Sequence, residues 1–135
     1  MAIQLKDLDQ LKVMRRAGIV VAEIHQLIRD AIKPGMTTSA LDAIASAHIK
    51  RSGATSNFLN YHGFPATICV SINDEIVHGI PGPRVINEGD VVSVDCGAII
   101  DGWHGDAAFS VGIGAIDVQD QKLMDVCEES MWVGI

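Results

Sequence analysis

Two carboxylates stand where chemistry is most plainly on offer. Asp95 and Asp106 lie eleven residues apart in the run Val91-Val92-Ser93-Val94-Asp95-Cys96-Gly97-Ala98-Ile99-Ile100-Asp101-Gly102-Trp103-His104-Gly105-Asp106-Ala107-Ala108-Phe109-Ser110-Val111. An ionised carboxylate inside an apolar strand is costly to bury unless a positive group faces it. The dipeptide Asp101-Gly102 accepts the positive φ angles of a type I′ turn and so predicts a hairpin between the two runs. With those residues as the loop, Ile100 faces Trp103, Asp95 falls opposite Ala108, and Asp106 falls opposite Gly97. Opposed residues share a face, as do residues two apart on one strand. The two carboxylates are then diagonal neighbours, with Cα atoms roughly 7–8 Å apart. No lysine or arginine occurs in residues 85–121. The pattern therefore asks for a divalent metal, or for two metals sharing a bridging carboxylate. A three-residue loop, or a bulge at Gly97 or Gly105, would reverse the parity and separate the pair. Asp101 reads as a turn residue.

Other candidates surround this motif. The segment Glu75-Ile76-Val77-His78-Gly79-Ile80-Pro81 predicts a short apolar strand closed by a histidine, whose imidazole titrates near neutral pH. Such a histidine serves structure more often than catalysis. Phe58, Tyr61 and Phe64 flank His62 in a stretch broken by glycine and proline, and they suit either a core or the wall of an apolar specificity pocket.

The elements that must carry these residues are legible. Asp7 followed by Gln10 makes a capping box, and Leu11, Met14, Val21, Ile24, Ile28 and Ala31 recur at helical spacing, predicting a helix over residues 8–32 that Lys33-Pro34-Gly35 ends. Thr37, Thr38 and Ser39 offer N-caps for a second helix, with Leu41, Ile44, Ala45 and Ile49 as its apolar stripe and Gly53 as its stop. Both helices read as structural. Residues 67–72 predict a strand. After the hairpin, Asp117 or Asp120 caps a third helix bearing Leu123, Met124, Val126, Cys127, Met131 and Trp132.

At 135 residues, with 48% hydrophobic and 20% charged residues, the chain suits one globular domain or a piece of a larger one. No apolar run approaches the roughly 20 residues that span a bilayer. A net charge of −7 without a basic cluster argues against nucleic-acid binding, which needs many cations on one face. Cys69, Cys96 and Cys127 are odd in number and lie in apolar surroundings, as reduced thiols do, and the N-terminus shows no secretory pattern, so a cytoplasmic location is expected.

Taken in order, Tyr61-His62-Gly63-Phe64-Pro65, Ser71-Ile72-Asn73-Asp74-Glu75-Ile76-Val77-His78-Gly79-Ile80-Pro81, Glu88-Gly89-Asp90, Val94-Asp95-Cys96-Gly97 and Asp101-Gly102-Trp103-His104-Gly105-Asp106 resemble the first half of a bacterial type I methionine aminopeptidase. The resemblance covers nearly the whole chain. It implies an α/β pita-bread fold, an antiparallel sheet covered by helices, with residues 1–135 as the N-terminal half of one catalytic domain, cut within its third helix. It implies metal-dependent removal of initiator methionine from peptides and nascent proteins. By the same resemblance Asp95 and Asp106 are metal ligands, His78 is the catalytic histidine that also contacts substrate, and Phe58, Tyr61, Phe64 and Cys69 form the pocket for a methionine thioether, a use that suits soft and apolar groups.

Two divalent ions, cobalt, manganese, iron or zinc, are implied for a complete site. The family's other ligands, one histidine and two glutamates, belong to the second half. The chain alone is therefore expected to hold no metal or one ion weakly, to be nearly inactive, and to self-associate through the apolar surface of its third helix. The competing reading is a non-catalytic half-fold that pairs with itself or with a partner chain. A prolidase is disfavoured by residues 61–69.

Overall fold

The computed structural model describes residues 3–135. Helix α1, Leu8–Ala31, begins as its capping box dictates: the Gln10 N–H donates to Asp7 Oδ1 at 2.8 Å and the Asp7 N–H donates to Gln10 Oε1 at 3.0 Å. These bonds satisfy two donors that a helix start would otherwise leave open. Ala17, Val20, Val21, Ile24 and Ile28 are buried along one stripe. Helix α2, Thr38–Arg51, starts at Thr37, whose hydroxyl accepts the Ala40 N–H at 3.3 Å, and buries Leu41, Ala45 and Ile49.

The sheet is antiparallel throughout. Strand β1, Thr55–Ser56, and strand β2, Cys69–Ile72, lie one after the other along one edge of β3, Val91–Ile100, while β4, Trp103–Gly112, takes the opposite edge. Alternation along β3 assigns its two faces. Val92, Val94, Cys96, Ala98 and Ile100 are buried in the same core cluster as α1 and α2, whereas Val91, Ser93, Asp95 and Ile99 on the other face are only partly covered. The hairpin has the two-residue loop that the sequence predicts, with Asp101 at φ 50° and Gly102 at φ 79°. Gly105 marks where α1 crosses β4. A Cβ there would fall 2.6 Å from the Gly18 nitrogen and 2.7 Å from the Ala17 carbonyl carbon.

Two expectations change. The strand predicted over residues 67–72 starts at Cys69, because the N–H groups of Thr67 and Ile68 donate instead to Asp42 Oδ1 on α2, at 2.7 and 3.0 Å. Residues 75–80 form no strand. Ile76, Val77 and Ile80 are exposed, and the segment is held by single bonds, from the Val70 N–H to the Gly79 carbonyl at 2.9 Å and from the Gly79 N–H to Ser71 Oγ at 3.1 Å. Its apolar residues have no partner strand to pair with. Helix α3, Val118–Gly134, is capped by Asp117, whose carboxylate accepts the Gln119 N–H at 2.7 Å. Leu123, Val126, Met131 and Trp132 are exposed on it, and only Met124 is partly covered. Among the described residues no helix is long and apolar enough to cross a membrane.

Candidate metal centre

Asp95 pairs with Ala108 across the hairpin and Asp106 pairs with Gly97, so the carboxylates occupy diagonal positions on the sheet face turned away from α1 and α2. The parity argument from the turn holds. Neither Gly97 nor Gly105 is bulged, since the register runs unbroken from Val91 opposite Gly112 to Ile100 opposite Trp103. The Asp95 carboxyl is held above its usual 3.8, first by burial, then by the Asp106 charge and a hydrogen bond with Asp106, while His78 acts in the opposite direction. Two acids that share space without a cation behave in this way.

The residue opposite Asp95 on the other side of β3 is Cys69, which places its side chain on the carboxylate face. Burial, then the charges of Asp95 and Asp106, push the Cys69 thiol up to about 11. It is a neutral thiol suited to apolar contact. Cys96 points to the opposite face, into the core, and its thiol is pushed up to about 12, chiefly by burial. His78 sits in the loop after β2 at φ 62°, a left-handed conformation uncommon for a residue with a side chain. Glu75 pins that loop. Its Oε2 accepts the Ile72 N–H at 2.7 Å and its Oε1 pairs with Arg84 at 2.8 Å. Gly79 is required next to His78 because a Cβ would collide with the Val70 carbonyl.

The aromatic residues divide. Phe58 and Phe64 meet edge to face with ring centroids 6.4 Å apart, both half-buried. Tyr61 lies in a 3₁₀ turn, Tyr61–Gly63, and is exposed, its ring packed edge-on against His62 at 4.4 Å. A cavity of about 430 Å³ lies elsewhere, lined by Asn73, Asp74, Gly89, Val91, Asp120, Leu123 and Met124, and includes neither carboxylate. On the carboxylate face Asp95, Asp106 and Cys69 share one side of the sheet.

Three supporting residues escaped the sequence reading. Asp42 anchors the approach to β2. Ser56 ties the segment after β1, donating to the Thr67 carbonyl at 2.8 Å and accepting the N–H groups of Phe58 and Leu59 at 3.0 and 3.2 Å. Asn57 donates from Nδ2 to Asp106 Oδ2 at 3.3 Å. Asp42 and Asn57 act on partners 25 and 49 residues away, beyond any local pattern. Gly97 inside a strand was the available signal for Asn57, since such a glycine marks a bulge or a close approach.

The donors fit a divalent cation as a partial site. Hard carboxylate oxygens are paired on one face of the hairpin. Among the described residues no group of three or more His, Cys, Asp or Glu side chains stands ready to hold an ion.

Comparison with known proteins gives a concordant picture. Residues 12–135 match the family model described as metallopeptidase family M24. The chain is 48% identical to methionine aminopeptidase 1 of Bacillus subtilis over 93% of its own length and 51% of that protein's. It is 51% identical to methionine aminopeptidase 1 of Mycobacterium tuberculosis, over 93% of its own length and 48% of the relative's. The crystal structure of methionine aminopeptidase from Rickettsia prowazekii superposes with a TM-score of 0.96 at 35% identity, over 99% of this chain and 54% of that one. The chain thus spans about half the length of the relatives it matches.

Proposed function

Because the chain belongs to metallopeptidase family M24, we propose that it forms part of an aminopeptidase that removes N-terminal methionine from peptides and nascent proteins. The observation that carries this reading is the diagonal pair Asp95 and Asp106 on the exposed face of the β3–β4 hairpin, without a basic residue nearby in sequence. Both carboxylates would hold divalent metal, which when bound supplies Lewis-acid polarisation of a peptide carbonyl and activation of water.

The chain's own residues have separable tasks. His78, on its pinned loop, would contact a substrate carbonyl or amide and assist proton transfer there. Cys69, Phe58 and Phe64 offer soft and apolar surface for a thioether side chain, with Tyr61 at the rim. The substrate is then a peptide with a free methionine N-terminus. A second reading, a non-catalytic half-fold, draws on the absence of a third ligand among the described residues. Against it, paired carboxylates are an expensive thing for a scaffold to keep.

Hydrolysis of a methionyl peptide with added manganese or cobalt tests the proposal, alongside calorimetric metal titration. The 135-residue chain is expected to hold no metal or one ion weakly, to lose any such uptake in Asp106→Ala, and to hydrolyse little peptide. Uptake that persists undiminished in Asp106→Ala would remove the reading of the acid pair as ligands. Vigorous hydrolysis would overturn the view that ligands beyond these residues are needed.

A further inference from the structure

We propose that Asn57 is a positioning residue for Asp106 and that Gly97 exists to admit it. The proposal deepens the metal reading above and rests on it for its functional meaning. Asn57 follows the two-residue strand β1, and its backbone N–H donates to the Gly97 carbonyl at 3.2 Å, so the segment continues along the edge of β3. Its side chain lies across Gly97. A Cβ on Gly97 would stand 2.5 Å from Asn57 Nδ2, 2.6 Å from Cγ and 2.8 Å from Cβ, closer than side chains tolerate. Gly97 is the residue directly opposite Asp106, so the vacancy left by its missing side chain lies next to that carboxylate. Asn57 fills it and donates from Nδ2 to Asp106 Oδ2 at 3.3 Å.

The orientation of the amide is set by chemistry. An ionised carboxylate only accepts, so the NH₂ end of Asn57 must face it. That choice leaves Asn57 Oδ1 buried with no hydrogen-bond partner. A buried acceptor without a donor is unfavourable, and flipping the amide would set oxygen against oxygen instead. The strain of the unpaired oxygen is thus the consequence of serving Asp106. Ser56 keeps Asn57 from turning away, since its hydroxyl ties Thr67 on one side and the Phe58 and Leu59 N–H groups on the other. Asp106 is itself exposed and would otherwise sample several rotamers. The bond to Oδ2 comes from a neutral donor and fixes the orientation of the carboxylate. Partners of this kind, one step removed from an ion, commonly change metal affinity by about 10–100-fold.

The test has two arms on the full chain. In EDTA, the side-chain amide of Asn57 is followed by ¹⁵N-edited NMR in the parent and in Asp106→Ala. Its signals are expected to move on loss of the carboxylate, and signals indifferent to Asp106→Ala would overturn the proposal. In the second arm, manganese binding is read from the spectrum of the free ion. Asn57→Leu, which keeps the volume and loses the donor, is expected to weaken binding about tenfold. Gly97→Ala, which evicts Asn57, is expected to do the same, and the double variant no more than either one, because both remove a single contact. Should Gly97→Ala fail to fold, Asn57→Leu decides. Parent-like manganese affinity in Asn57→Leu overturns the positioning role, and with a parent that binds no manganese the amide signals alone judge the contact.

Discussion

Asp95 lies between Cys69 on one neighbouring strand and Ala108 on the other, and it shares its face with a second acid. Its carboxyl is raised above 3.8, chiefly by burial and then by Asp106. The folded chain therefore retains a proton that the unfolded chain has already lost as pH rises past 3.8, and stability falls through that window up to the raised folded value. Above it the full loss persists. Asp95→Asn should thus raise the urea midpoint of the metal-free protein at neutral pH while abolishing metal uptake. A lower midpoint would show that the charge is compensated. Asp101 behaves differently, as a turn residue whose carboxylate meets Arg16 at 2.9 Å with both side chains exposed. Asp101→Asn should cost no more than about 1 kcal/mol and leave metal uptake unchanged.

At the scale of elements, the seam between α1 and β4 carries the sheet that presents the carboxylates. Gly18 and Gly105 face each other there with opposite tolerance. An added methyl at Gly18 meets nothing within 4 Å, so Gly18→Ala should stabilise α1 by up to about 1 kcal/mol. At Gly105 it meets α1 backbone, and Gly105→Ala should destabilise by about 1–3 kcal/mol in chemical denaturation. His25 closes the same seam, its Nε2–H donating to the Ala107 carbonyl at 3.0 Å and its ring packing edge-on to Phe109 at 4.8 Å. Burial, foremost, lowers its pKa from 6.5, against the Ala107 bond, which raises it. The unfolded chain gains the proton first as pH falls, so stability declines from pH 6.5 downward through the lower folded value. His25→Gln should flatten that acid limb, as followed by thermal melting across pH.

For the whole molecule, one side of the sheet is packed by α1 and α2, and the other presents the acid pair. Ile76, Val77, Trp132 and Val133 are also exposed. Large apolar side chains left open to water favour association. The 14.4 kDa chain should sediment above its monomer mass, and Trp132→Glu should shift it toward monomer. A parent that sediments as a monomer at high concentration would refute the association. The relatives are about twice as long, so an activity measured on 135 residues speaks to this chain alone.

Local chemistry was enough to place the acids. A turn dipeptide that accepts positive φ and a side-chain period of two set the register of β3 against β4, and with it the shared face of Asp95 and Asp106. The capping box and the apolar stripe likewise fixed α1 to within a residue at either end. The apolar run before His78 misled, because strand formation needs a partner edge and composition cannot reveal whether one is free. Tertiary structure alone decided that β1 and β2 share one edge of β3, that Asp42 reaches the approach to Cys69, and that Asn57 lies over Gly97 to hold Asp106. Periodicity reports which face a side chain occupies. What crosses that face depends on contacts between segments far apart in the chain, and these leave no local period to read.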